Sequence, residues 1–482
     1  MSLSDHLKIT VLGHACMLVE ASDVRLLVDP WLVGSCYWRS WWNYPEIDKN
    51  FVNQIRPSHI YLSHLHWDHY HGPTLRKFYD SDPIIILPKA ATERMKSDMK
   101  RDFRFSRIVE VMHGKECHLG YDFSITSFQF NPFIIDSALA IKSCGIKILN
   151  ANDSKVFGLS LKQIVSRFQS FDFVFRSHSS ATPDPYCVEG VDPYASSRKP
   201  DDYTKDFVAF AKACNAKYVV PFASSHVYLH KGSEQYNEYY NNPSFVRDNY
   251  SRYNTESECI LMPPLSSWSN QDGFDICNHD YTQIKSHICQ MRAAHAESLQ
   301  KEYRKIEKAR VDRSALENYF CQYLRSLPWF LPRLRFGFFL TSKLDDKSAI
   351  GELVIVDSKK SCISFGGEYE YEALVSGDEF RLSFILKTYS HVINDCARKK
   401  MFNTFTPSKL LRIYSYGRGL SYGAFFSLID AYENDCLPLT RVFTPRQFEN
   451  RISRWREFLD VFYLLYIIKF RKFQLFRLWS EL

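Results

Sequence analysis

No stretch of this 482-residue chain approaches the ~18 uncharged apolar residues that a membrane-spanning helix needs. The opening Met1-Ser2-Leu3-Ser4-Asp5-His6 lacks the basic end and apolar core of a signal peptide. Its 13 cysteines include no C-x-x-C pair. That argues against a disulfide framework or a cysteine zinc finger, and fits a reducing compartment where Cys serves as a small hydrophobe. Charge of one sign is in small excess, 61 Lys and Arg against 54 Asp and Glu, for a net +7. That is too dilute to argue for nucleic acid, although it accommodates an anionic small-molecule substrate. The expectation is a cytoplasmic globular protein. What the chain does have is 45% hydrophobic and 16% aromatic residues, enough for large packed cores and binding surfaces.

The segment Ser63-His64-Leu65-His66-Trp67-Asp68-His69 follows the apolar run Ile60-Tyr61-Leu62. A strand ending in a tight loop would throw His64 and His66 to one side and bring Asp68 and His69 back beside them. Imidazole nitrogens with a carboxylate oxygen suit Zn²⁺, Fe or Mn²⁺, so the segment reads as a metal site.

Around it, Lys8–Leu12, Cys16–Glu20 and Arg25–Val28 read as a β-meander. Strands are then expected at Ile60–Leu62, Ile84–Leu87, Phe123–Phe128, Ala138–Ile141, Ile146–Asn150, Phe171–Phe175 and Tyr218–Pro221. Helices are expected at Pro73–Tyr79, Ala91–Met99 and Asp202–Ala213. Such alternation predicts α/β layers with helices outside a sheet core. Tyr236–Tyr253 reads as a long loop or extension and Tyr281–Arg310 as one charged helix; Ser314 to Glu317 has the spacing of a capping box. Strands at Arg333–Thr341 and Gly351–Val356 precede a mainly helical remainder. A boundary near 280 gives a metal-binding domain over 1–280 and a mixed helix/strand domain over 281–482. At the end, Phe458–Phe470 is followed by Arg471, Lys472 and Arg477 among Phe473, Leu475, Phe476 and Trp479. Two readings stand, a buried terminal helix or a basic aromatic helix lying on a membrane surface or partner. Oligomeric state is not legible.

His64-x-His66-x-Asp68-His69 resembles the signature of the metallo-β-lactamase superfamily, which implies an αββα sandwich, here with an additional mixed α+β C-terminal region. Leu12-Gly13-His14-Ala15 and Val28-Asp29-Pro30-Trp31-Leu32 resemble the opening strands of its lactonase-like branch. Those segments, with Trp41-Trp42, Pro73-Thr74-Leu75 and Ile148-Leu149-Asn150-Ala151-Asn152-Asp153, look like the hydrolase-like portion of the CMP-N-acetylneuraminate hydroxylase family, over about residues 7–235. The resemblance implies one or two divalent ions, zinc first with iron or manganese as alternatives. It implies Asp153 as a bridging ligand and His226 as a late one, with His230 in reserve. A histidine is expected before the strand Ala138–Ile141, where this chain offers only Asp136 as a strong ligand. An oxygen-rich site leans towards iron or manganese. Asp68 would orient or deprotonate a metal-activated water, and His178 and Arg176 are candidates for substrate contact. Arg39 and Lys89 stand on loops where they can meet an anion. His14, His113 and His118 are expected in supporting or surface positions.

The hydroxylase family ties oxygen chemistry to a Rieske cluster held by C-x-H and C-x-x-H pairs. Cys277-Asn278-His279 supplies one pair and nothing supplies the other, which argues against self-contained monooxygenation. The expected function is a metallohydrolase acting on a phosphate-bearing, sugar-nucleotide or lipid-like small molecule. The alternatives are a sugar-modifying oxygenase component or a non-catalytic binding protein retaining the fold.

Overall fold

In the computed structural model the described residues are 6–131, 136–179, 181–182, 184–192, 199–253, 256–332, 334–377, 379–419 and 421–471. Two large sheets face each other. The first has eight strands in the order Gly273–Asp275, Ser267–Ser269, Leu7–Val11, Met17–Ala21, Val24–Val28, His59–Tyr61, Ile84–Pro88 and Ile108–Val111. The second has seven, Glu258–Cys259, Ala216–Phe222, Phe171–Ser177, Ile146–Asn152, Asp136–Ser143, Phe123–Phe130 and Glu116–Gly120.

The period-2 alternation of side chains builds four layers from these strands. Leu26 and Val28 turn inward to meet Ile125, Ile148 and Phe173 from the other sheet. Leu27 turns outward onto a helical layer through Leu75, Met95 and Met99. On the second sheet Ile148 faces inward, while Leu149 faces out towards the helices Gly158–Phe168 and Pro200–Ala213 through Leu161, Ile164 and Phe207. The result is the αββα sandwich that the sequence implied.

Strand direction then gathers the site. Val24–Val28, His59–Tyr61 and Ile84–Pro88 are mutually parallel, as are Ile146–Asn152, Phe171–Ser177 and Ala216–Phe222. Loops leaving their carboxyl ends therefore emerge along one edge of each sheet, where open α/β sheets place ligands. Asp136–Ser143 runs antiparallel to Ile146–Asn152, so its first residue, Asp136, lies at that same edge.

Several expectations need correction. Tyr236–Tyr253 is not a loop: it holds the 3-10 helix Glu234–Tyr239 and the helix Pro243–Tyr250, the latter capped by the Asn242 side chain. The charged helix breaks at His295 into Ile284–Ala294 and Ala296–Lys308. The cap of the next helix, Arg313–Ser326, is Asp312, which accepts from the Ala315 amide, so Ser314 lies inside the helix. Nor do helices dominate thereafter. Cys362–Glu370, Ile350–Asp357, Arg335–Leu340, Phe384–Thr388 and Leu411–Ser415 form, in that order, a mixed five-stranded sheet. Phe336 and Phe338 on one face pack on Phe320, Val392 and Phe425 of three helices. Phe339 and Ile385 on the other face pack on Leu353, Tyr371 and Leu374.

All 13 cysteines are free. Among the described residues no helix is long and apolar enough to cross a membrane. The final helix is Trp455–Arg471. Residues 472–482, which carry most of the basic aromatic pattern read for a membrane surface, lie outside the described residues, as do the side chains of 464–471.

Candidate metal centre

The loop after His59–Tyr61 carries its histidines into one buried cavity, and the residue before it explains their posture. Asp29, at the end of Val24–Val28, is fully buried with φ +42. Its Oδ1 accepts from the Ser63 amide (2.7 Å), and its Oδ2 accepts from Ser63 Oγ (2.6 Å), His69 Nδ1 (2.9 Å) and Asn152 Nδ2. With Nδ1 committed to Asp29, His69 presents Nε2 to the cavity, where it lies 3.2 Å from Asp68 Oδ2 and 3.4 Å from Asp153 Oδ2. Orientation of a ligating imidazole by a carboxylate on its other nitrogen is a recurrent device of metal sites. Since Ser63 Oγ donates to Asp29, His64 Nδ1 is the donor to Ser63 Oγ (2.9 Å), which leaves His64 Nε2 as the acceptor towards His66 Nδ1 (2.8 Å).

Asp136 joins from the second sheet, its Oδ1 3.7 Å from His64 Nδ1. His226 begins the short strand His226–Tyr228, which pairs with Trp41–Asn43. Its ring stacks on Trp41 at 3.6 Å and 4°, and neither ring nitrogen has a hydrogen-bond partner. His14, read from sequence as a supporting or surface residue, stands in the centre: its Nε2 donates to Asp68 Oδ2 (2.9 Å), and its ring lies 5.3 Å from that of His226. The other Asp68 oxygen accepts from Tyr37 OH. Ligand atoms of His14, Asp68 and His69, and of His64, His69 and Asp153, fall within 4.8 Å of one another.

Electrostatics set three imidazoles and Asp68 in the protonation states that a cation needs, whereas His69 and Asp136 would have to give up a proton to bind one. Burial pushes His64, His66 and His226 below the usual imidazole range, so they are neutral donors. Burial also disfavours charge on His69, but the carboxylates of Asp68, Asp153 and Asp29 outweigh it and hold the ring above its ordinary value. Burial likewise works against the Asp68 charge, and His69 and His14 more than offset it, keeping the carboxylate ionised. Asp136 rises to about 7 through burial and the neighbouring Asp153. Carboxylates gathered around His69 Nε2, with an oxygen of Asp136 and one of Asp153 left without a hydrogen bond, fit a resident divalent ion.

The cavity, about 550 Å³, reaches past His64, Asp68 and Asp153 to Phe402, Pro407, Asp430 and Asp460 of the C-terminal half. That half also shapes the near wall. Tyr37, Trp38 and Arg39, at the tip of the hairpin joining Ser35–Cys36 to Trp41–Asn43, all take left-handed φ values of 51, 52 and 62°. Each such residue costs roughly 1–2 kcal/mol. The hairpin is gripped from across the chain: Trp38 Nε1 donates to Asp395 (3.0 Å), Trp41 Nε1 to the Pro407 carbonyl (2.9 Å) and Ser40 Oγ to the Ser408 carbonyl (2.7 Å). Burial of Trp38 and Trp41, each worth upwards of about 2 kcal/mol, offsets the strain and holds Tyr37 on Asp68.

Two expected substrate contacts do not reach the cavity. Arg176 turns to the outer helical layer, its Nη1 donating to the Asp206 carbonyl (3.0 Å) and its guanidinium 4.2 Å from the Phe210 ring. Strand parity sends it there. His178 is buried beside the Phe222 carbonyl, 3.3 Å from Nδ1, with its pKa lowered to about 3 by burial; its neighbours Ser177 and Ser179 line the cavity in its place. His230 is occupied by the Gly232 amide and the Tyr303 ring. Lys89 pairs with Glu449 (2.7 Å). Tyr37 was missed in sequence because only folding brings it to Asp68.

Residues 8–159 match the family model of the beta-lactamase superfamily domain. A stretch of 88 residues, 18% of this chain, is 40% identical to the inactive cytidine monophosphate-N-acetylneuraminic acid hydroxylase of Homo sapiens and covers 18% of that protein. The Mus musculus hydroxylase is 38% identical over 88 residues, 15% of its length. The matched stretch is thus less than a fifth of either relative. Among solved structures, the metallo hydrolase Igni18 from Ignicoccus hospitalis aligns with 55% of this chain and 98% of its own, at 12% identity and a TM-score of 0.38. CmlA, a diiron β-hydroxylase from Streptomyces venezuelae, aligns with 56% of this chain and 54% of its own, at 17% identity and a TM-score of 0.38.

Proposed function

From a metallo-β-lactamase fold at its N-terminal half, we propose that this chain is a metal-dependent hydrolase of an anionic small molecule. One observation carries the reading: two triads sharing His69, namely His14, Asp68 and His69, and His64, His69 and Asp153, each bring their ligand atoms within 4.8 Å of one another. His66, Asp136 and His226 line the same cavity as His64, Asp68 and Asp153. The neutral imidazoles would hold one or two divalent ions together with Asp68, Asp136 and Asp153. Bound there, such ions supply Lewis acidity, lowering the pKa of a water towards neutrality and polarising a carbonyl or phosphoryl group. The chain does the rest. Asp29 fixes the His69 tautomer. Asp68, ionised and held by Tyr37 and His14, can accept a proton from a water in the cavity. Trp41 and Phe402 exclude bulk solvent from that exchange. Zinc is the first candidate ion.

A second reading, a sugar-modifying oxygenase component, draws on Asp136, an oxygen donor beside His64, which leans towards iron, and on the stretch shared with the hydroxylases. Elemental analysis of chelator-free protein, combined with a screen of phosphoesters, lactones and sugar nucleotides, separates the two. Zinc or manganese with hydrolytic turnover is expected; iron with donor-dependent turnover would favour the second. His66→Ala should abolish metal uptake and turnover together, and activity surviving that change would sink both.

A further inference from the structure

The helices Pro445–Ser453 and Trp455–Arg471 are built inside out. Gln447, Asn450, Arg454, Glu457 and Asp460, three or four residues apart, form the face turned to the protein, and each is at most 8% exposed. Phe448, Ile452, Trp455, Leu459 and Phe462 form the opposite face and are 47–68% exposed. A helix lying on a globular core shows the reverse arrangement, apolar side in and polar side out.

Polar contacts explain the posture. Asn450 Nδ2 donates to Gln129 Oε1 (2.9 Å) and to the Lys89 carbonyl (3.0 Å). Arg454 Nη2 donates to the Asn131 carbonyl (2.7 Å), and Arg446 Nε to the Ala90 carbonyl (2.9 Å). Asp460 accepts from the Leu159 and Ser160 amides. These directional bonds fix the rotation of both helices, so the apolar stripe cannot roll inward without leaving buried polar groups unmatched. Cations border the stripe. Arg456 stands 4.6 Å from the Trp455 ring, and Arg451 stands 6.0 Å from that of Phe458. Over 464–482 the sequence continues in kind. Lys469, Arg471, Lys472 and Arg477 are spread among leucines, isoleucines and aromatic residues, with Glu481 as the one acid of that stretch.

We propose that this face docks the protein on an anionic lipid surface, its five apolar side chains entering the headgroup boundary and its cations meeting the lipid anions. An apolar stripe bordered by Lys and Arg, with Trp and Tyr along it, suits an interface of that kind. A second copy seated on the same face would set like charges against each other, whereas anionic headgroups oppose them with the complementary sign. The inward residues Glu457 and Asp460 line the metal cavity, so docking would set that cavity beside the lipid. The inference goes beyond the hydrolase reading and does not rest on it.

Sedimentation of the full chain with phosphatidylcholine vesicles carrying about 30% phosphatidylserine tests the proposal, with pure phosphatidylcholine vesicles as the control. Saturable binding to the anionic vesicles is expected, weakened about tenfold or more on neutral vesicles and at ~0.5 M salt. The triple variant Phe448→Ser/Trp455→Ser/Phe462→Ser should also lose about tenfold or more in affinity. Its three side chains are exposed, so the fold should persist, and an unchanged circular dichroism spectrum checks that. Protein treated with EDTA should bind vesicles as untreated protein does, which separates this surface from the metal mechanism. Three outcomes would overturn the proposal: no binding to anionic vesicles, equal binding to neutral ones, or undiminished binding by the triple variant. A dimer that the triple variant abolishes, found without any vesicle binding, would overturn it too and assign the face to a second copy.

Discussion

His69 Nδ1 donates to Asp29 Oδ2 across 2.9 Å, between two side chains 40 positions apart that are both fully shielded from water. This bond aims the opposite nitrogen of the ring at Asp68 and Asp153. Asp29→Ala should therefore weaken metal affinity about 10–100-fold while leaving all ligands in place. Competition against a chromophoric chelator measures it, and an unchanged affinity would show that the ring is oriented by packing alone.

Arg176 gives the opposite expectation. Its guanidinium serves the helix Pro200–Ala213, so Arg176→Met should lower stability by about 1–3 kcal/mol through the lost bond to the Asp206 carbonyl and the lost stacking on Phe210. Metal stoichiometry should not change. A variant of normal stability with an altered KM would return Arg176 to the substrate site.

The helix Gly158–Phe168 is capped by a residue about 300 positions away. Asp460 accepts from the Leu159 amide (2.7 Å), the Ser160 amide (2.9 Å) and Ser160 Oγ (2.7 Å). Asp460→Ala should cost about 1–2 kcal/mol in denaturant unfolding. Gly158, at φ +56, has no room for a Cβ beside that carboxylate, so Gly158→Ala should destabilise as well. If Asp460→Ala unfolds at the wild-type midpoint, the cap contributes nothing.

Docking of the helix Pro445–Ser453 has an acid limit. Burial alone would raise Glu110, but Arg446 and Lys96 (2.7 Å) hold it below the ordinary glutamate value of 4.5. A depressed carboxylate contributes stability that is complete above its unfolded value and is lost as pH falls through the folded one. Glu110→Gln should therefore show a shallower loss of stability below about pH 4.5. Parallel pH profiles for the two proteins would remove Glu110 from the explanation.

Local patterns carried much of this into the sequence. His64, His66, Asp68 and His69 sit on one loop, and the inward and outward faces of Val24–Val28 and Ile146–Asn152 follow from parity. Contacts made only on folding were not legible. Tyr37 reaches Asp68 across 31 positions through a left-handed hairpin that no turn-forming glycine announces. The C-terminal sheet was obscured for different reasons. Cys362–Glu370 alternates weakly and ends in glutamates, while Phe384–Thr388 is buried throughout and has no period.

The grip on the Tyr37 hairpin also sets an order of events. Trp41 waits for the carbonyl of Pro407, 366 positions later. At ~5–20 residues per second of synthesis, that is on the order of 20–70 seconds after Trp41 itself is made. The histidine loop and Asp153 emerge well before then, so the wall beside Asp68 is locked only after the residues it encloses have been made.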